Sequence, residues 1–216
     1  MTLPILYSFR RCPYAMRARM ALILASKECE LREILLKDKP DKMLQVSSKG
    51  TVPVLEFPDK VIDESLDIML WALNINDSED ILCPYREQKN FVLDSIKIFD
   101  LEFKYHLDRF KYSARFNASE EDYHFLEATK FIKKWNKILT NNSWIIGDKP
   151  SIADWCIWPF VRQFKIACES HKKTNYFDDP IKDWLGYFEK HQHFKKLMHK
   201  YDPWKPSKKK EYFHFN

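Results

Sequence analysis

The residues best placed to do chemistry lie in "FRRCPYAMRARMAL", residues 9–22, where Cys12 directly precedes Pro13 at the start of a helical pattern. With Cys12 as the cap and Pro13 as the first helical residue, the missing proline N–H costs nothing. The thiol then faces unpaired backbone N–H groups and the positive end of the helix dipole. Arg10, Arg11 and Arg17 add positive charge nearby. Such settings lower a cysteine pKa from about 8.5 to roughly 3.5–7.5, so Cys12 is the candidate nucleophile as a thiolate. Ala15 stands where a dithiol site carries its second sulfur. A mixed disulfide on Cys12 must therefore be resolved by a thiol from outside, with Cys29 the weaker candidate.

Two downstream stretches suggest how that thiol is held. In "KGTVPVL" the Val52–Pro53 bond precedes a strand and is a candidate cis bond. The backbone N–H and C=O of Val52 would be free to pair with an extended peptide, like an added strand. In "DES" Ser65 reads as the cap of a helix whose first N–H groups make a site for a carboxylate, and Glu64 can hold an ammonium group. A carboxylate and an amine on one carbon, beside an extended thiol-bearing peptide, fit this arrangement.

The elements that must position these residues follow from periodicity. The first 75 residues alternate short apolar runs with helical patterns in the order β-α-β-α-β-β-α, a small α/β unit. Its first helix places Met16, Met20, Ile23 and Leu24 at helical spacing, with arginines on the other side. Residues 76–86 turn polar and read as a linker. Beyond it strand signals vanish. Residues 87–111, 119–140, 151–168 and 182–200 read as amphipathic helices, so 87–216 is expected as an all-helical domain with a basic tail, "KPSKKKEYFHFN". "GDKPSIADWCIWPF" holds a capping box in which Ser151 and Asp154 serve each other's backbone N–H groups, a structural signal.

Composition narrows the function classes. A chain of 216 residues, 45% hydrophobic and 15% aromatic, builds a real core. Only three glycines occur, too few for a phosphate loop or a dinucleotide fingerprint. The net charge of +5 is mild and concentrated in the tail, which reads as a solvated extension, so nucleic acid is not an expected partner. Five scattered cysteines offer neither a metal-ligand spacing nor a disulfide framework, and they suit a reducing cytoplasm. No secretory signal pattern and no apolar run of membrane-spanning length is present, so no membrane association is expected.

Taken in order, "YSFRRCPYA", "LLKDKP", "KGTVPVL", "DES" and "PSIADWCIWPF" make the chain resemble the glutathione transferase superfamily over nearly its whole length. Its cysteine-type members come closest, especially the omega class and its bacterial relatives. The resemblance implies an α/β, thioredoxin-like N-terminal domain followed by an all-α helical bundle. It implies that Cys12 is the nucleophile and Lys39 lies near the glycine carboxylate of glutathione. Val52 would pair with the cysteinyl backbone, Pro53 would be cis, and Glu64 with Ser65 would bind the γ-glutamyl group. Glutathione would be the co-substrate, with no metal and no nucleotide. The expected activity is glutathione-dependent thiol transfer, such as deglutathionylation or dehydroascorbate-type reduction, in a homodimer. A non-catalytic interaction protein on the same fold is the alternative. Tyr14, Phe103, His106, Phe110 and Trp184 are candidate walls of the acceptor pocket. That pocket departs from the omega pattern: Gln163 stands where an arginine is expected after Trp158–Pro159, and Arg162 is shifted by one position. Tyr7 and Ser8, although of residue types that activate glutathione in other classes, read as packing residues of a strand.

Overall fold

The computed structural model describes residues 2–174 and 177–213. It divides into two compact units, one running to Glu79 and resuming at Gln192, the other spanning Asp80–His191. The first unit carries β1 (Ile5–Ser8), α1 (Pro13–Leu24), β2 (Cys29–Glu33), α2 (Asp41–Val46), β3 (Val54–Glu56), β4 (Val61–Ile62) and α3 (Ser65–Ile75). β1 and β2 run parallel with Leu6 opposite Leu31, which requires the crossover that α1 supplies. β3 returns antiparallel to β1 with Tyr7 opposite Val54, and β4 pairs antiparallel with β3. α1 and α3 pack against one another.

The second unit is built from α4 (Cys83–Glu87), α5 (Lys89–Ile98), a π-helical turn at Phe99–Phe103, α6 (Lys104–Lys111), α7 (Glu121–Asn141), α8 (Ile152–Ser170) and α9 (Asp179–Lys190). Its interior is aromatic: Phe99, Phe103, Phe110, Trp155, Trp158, Phe160, Phe164 and Phe188 are fully buried. Asp154 lies among them and accepts hydrogen bonds from the Ile145 N–H, the Ser151 N–H and hydroxyl, and the Trp184 indole N–H, at 2.7–3.0 Å. No helix among the described residues is long and apolar enough to cross a membrane.

The end of the chain departs from the expected plan. After α9, α10 (Phe194–Leu197), α11 (Trp204–Ser207) and β5 (Glu211–Phe213) rejoin the first unit. β5 pairs antiparallel with β2, Cys29 opposite Phe213, and gives the sheet the order β4-β3-β1-β2-β5. The expectation of one all-helical domain over 87–216 is therefore corrected. So is the reading of 76–86 as a linker, since α4 begins at Cys83 inside it. A three-residue strand in a basic stretch carries almost no periodicity, and it forms because the β2 edge offers unpaired backbone groups. The last three residues of the expected tail, 214–216, lie outside the described residues.

The same return covers one side of α1, where α10 packs against it. Arg17 and Arg19, expected on an outer face, are fully buried. The guanidinium of Arg19 lies 5.7 Å from the ring of Tyr201 and 5.6 Å from that of Phe213, both supplied by the returning segment. Burial lowers its pKa, partly offset by Glu33, whose carboxylate stands 3.9 Å away.

Candidate active site

Cys12 occupies the cap position of α1 with an extended backbone (φ −77°, ψ 125°), and Pro13 opens the helix. Its N–H donates to the Phe9 carbonyl at 3.0 Å, and its own carbonyl accepts the first helical bond, from Met16 at 2.9 Å. These two bonds fix the turn that ends β1 and starts α1, so the sulfur sits at the end of the helix that attracts negative charge. No acidic residue lies in the first turn to oppose that field. Cys12 is half-buried, and its sulfur lies 3.8 Å from the Val52 carbonyl oxygen. Beneath it lies a buried cluster of Tyr7, Ala15, Ile34, Met43, Val52 and Val54.

The Val52–Pro53 peptide is cis. The stretch 49–53 meets Cys12 through Val52 and Glu64 through Lys49, and it passes close to Lys39. At its middle, Gly50 takes φ +60°, which glycine adopts without steric penalty. The Lys39 Nζ lies 3.8 Å from where a β-carbon on Gly50 would stand, so its amine hangs over this turn. At its start, Lys49 donates to Glu64 at 2.5 Å and to Asp63 at 3.0 Å. Asp63 also accepts from the Ser47 hydroxyl at 2.8 Å. These contacts raise the pKa of Lys49 and hold it charged. The motifs "KGTVPVL" and "DES" are both visible in the sequence, but the pairing of Lys49 with the two carboxylates is not. The opposite charges in the two motifs were the available signal.

α3 begins one residue earlier than its expected cap implied. Glu64 holds the cap position with extended geometry, and Ser65 is the first helical residue. The Glu64 carboxylate is well exposed and Ser65 is buried. The first N–H groups of α3 and the Glu64 carboxylate thus sit side by side, a place for an anion next to a place for a cation.

Several other expectations are resolved by burial. Tyr7 is fully buried, donates to Glu56 at 3.0 Å and accepts from Arg32 at 3.1 Å. Burial pushes its pKa up to about 12, so it stays a neutral packing residue. Cys29 is fully buried and pushed up to about 12 by burial, which removes it as a resolving thiol. Arg10 is drawn toward Glu33, which accepts its backbone N–H at 2.7 Å, and its guanidinium donates to the Met198 carbonyl at 3.3 Å.

The expected acceptor walls are only partly suited to that role. Phe103 and Phe110 are wholly buried in the aromatic interior of the helical unit, both ring-packed with Phe164, and are corrected to core residues. Trp184 is spent on Asp154 through its indole N–H at 2.8 Å and is likewise structural. His106 faces His124, ring nitrogen to ring nitrogen at 2.9 Å. Tyr14 is half-buried on α1, with the Arg17 guanidinium 5.2 Å from its ring. Arg162 sits 3.4 Å from Glu189. Among the described residues no group of three or more His, Cys, Asp or Glu side chains is placed to hold a metal ion.

Residues 6–80, which carry Cys12, Lys39, Val52, Pro53, Glu64 and Ser65, match the glutathione S-transferase N-terminal domain family. Over those residues the chain is similar to glutathione S-transferases. It is similar to the probable glutathione transferase omega-2 of Caenorhabditis briggsae, 27% identical over 163 residues, covering 71% of this chain and 61% of that protein. It is also similar to the omega-1 glutathione S-transferase of Mus musculus, 29% identical over 169 residues, covering 74% of this chain and 66% of that one. The matches thus span less than two thirds of these curated relatives. Among solved structures, glutathione transferase Omega 3C from Trametes versicolor superposes with a TM-score of 0.77 at 16% identity, over 94% of this chain and 91% of that one. A glutathione transferase family member from Pseudomonas fluorescens, solved with two glutathione molecules bound, gives 0.73 at 15% identity, over 91% and 92%. At such identities these likenesses establish the glutathione S-transferase fold: a thioredoxin-like mixed sheet and a helical C-terminal domain.

Proposed function

We propose that this glutathione S-transferase-fold protein is a monothiol, glutathione-dependent thiol transferase of the omega type. The observation that carries the reading is the placement of Cys12. Its sulfur sits at the N-terminal end of α1 and 3.8 Å from the Val52 carbonyl, with Ala15 in place of a second cysteine. Glutathione is the co-substrate. Its cysteinyl backbone pairs with Val52 ahead of Pro53, its γ-glutamyl ammonium with Glu64, and its γ-glutamyl carboxylate with Ser65 and the first N–H groups of α3. Lys39 faces the glycine carboxylate.

In the first half-reaction the Cys12 thiolate attacks the glutathionyl sulfur of a mixed disulfide. The substrate S–S bond breaks, the reduced substrate thiolate leaves, and Cys12 holds the glutathionyl group. In the second, a glutathione thiolate attacks the glutathionyl sulfur, regenerates the Cys12 thiolate and leaves oxidised glutathione. The burial of Cys29 supports resolution from solution. Dehydroascorbate-type reduction would draw on the same cycle. The cytoplasm, where glutathione is kept reduced, suits this chemistry, and a homodimer is the assembly expected from the resemblance. Neither a metal nor a nucleotide enters the cycle.

The test is Cys12→Ser assayed for deglutathionylation of a glutathionylated small thiol. Its rate should fall by about a thousandfold or more, as when a covalent nucleophile is removed, while the fold is retained. Deglutathionylation at the wild-type rate would overturn the reading.

A further inference from the structure

The returning C-terminal segment reaches the loop that presents Lys39. Lys205, on α11, places its Nζ 2.6 Å from the Asp38 carboxylate and donates to the Lys39 backbone carbonyl at 3.3 Å. The loop between β2 and α2 has little regular structure of its own. A bridge between Leu35 and Asp38, with the Asp38 N–H donating to the Leu35 carbonyl at 2.9 Å, closes its tip. Lys205 therefore fastens residues 38 and 39 from 166 positions away in sequence. α11 is itself held firmly. The Arg32 guanidinium lies 4.2 Å from the Trp204 ring, β5 pairs along β2, and Arg10 bonds to Met198.

We propose that Lys205 is a positioning residue for the glycine end of the glutathione site, setting the backbone of Lys39 and cancelling the charge of Asp38. This deepens the reading above and rests on it. Two physical effects combine. The hydrogen bond to the Lys39 carbonyl fixes where the Lys39 side chain begins, and that side chain reaches over Gly50, two residues before Val52. Without Lys205, Asp38 would present an unneutralised carboxylate beside the group meant to receive the glycine carboxylate, and like charges repel there. The ion pair with Asp38 also raises the pKa of Lys205, so the clamp is charged at neutral pH. The segment expected from sequence to be a solvated tail thus supplies a support for the ligand site.

The experiment compares wild type, Lys205→Met and Lys205→Arg in steady-state thiol transfer. Each is titrated with glutathione and with its glycine monoethyl ester, in which the glycine carboxylate is neutral. For Lys205→Met the KM for glutathione should rise about three- to tenfold, the loss expected for one such hydrogen bond. The KM for the ester should change less than twofold, as should kcat. Lys205→Arg should recover most of the loss. A KM unchanged in Lys205→Met, or one raised equally for glutathione and the ester, would overturn the inference. A wild-type protein that shows no saturable dependence on glutathione would instead overturn the functional reading on which it rests.

Discussion

Two acidic residues stand at the starts of helices in this molecule and behave in opposite ways. Asp154, in the first turn of α8, is fully buried, and both its oxygens are filled by four donors from Ile145, Ser151 and Trp184. Glu64, at the cap of α3, is exposed and is met by the mobile-stemmed amine of Lys49. A carboxylate with every lone pair taken inside an aromatic core has no capacity left for a ligand, and its work is to join the 145–151 loop, α8 and α9. A carboxylate at an open helix end, paired with a flexible lysine, can exchange that partner for another ammonium group. The contrast separates a saturated structural carboxylate from an exposed one open to exchange, without reference to residue type.

That separation can be broken by two substitutions. Asp154→Ala should cost about 3–5 kcal/mol of stability, because it strands buried donors that water cannot reach. Thermal or denaturant unfolding would show it, and a loss within the range of ordinary surface changes would remove the distinction. Glu64→Gln should act on the ligand instead. It should raise the KM for glutathione by about ten- to a hundredfold through loss of a charge-assisted hydrogen bond. Its free energy of unfolding should stay within about 0.5 kcal/mol of wild type. If Glu64→Gln destabilised the fold as much as Asp154→Ala, both residues would be structural.

What could be read from sequence followed the reach of each signal. The Cys12–Pro13 cap, the start of α3 near Glu64 and the Ser151–Asp154 box are set by residues within four positions of each other, and all three are present. The alternation of apolar runs locates β1 to β4, because each of them pairs with a strand inside the first 62 residues. Where a feature depended on distant chain, the pattern was silent. β5 is three residues long and exists only against the edge of β2. Arg17 and Arg19 look like a solvent-facing stripe in the sequence, yet both are buried, Arg19 against Tyr201 and Phe213 of the returning segment. Phe103, Phe110 and Trp184 carried no mark distinguishing a core aromatic from a pocket wall, since burial depends on neighbours from other helices. Lys49 and Lys205 were visible as charges, but their partners at Glu64 and Asp38 lie 15 and 167 positions away.

The central claim is that Cys12 alone carries the glutathionyl group and hands it to a thiol from solution. Intact-protein and peptide mass measurements after incubation with oxidised glutathione test it most directly. The account predicts one glutathionyl adduct per chain, on the peptide containing Cys12, removed by reduced glutathione and missing from Cys12→Ser. An adduct carried by Cys83 instead, an internal disulfide between Cys12 and Cys29, or no adduct at all would contradict it.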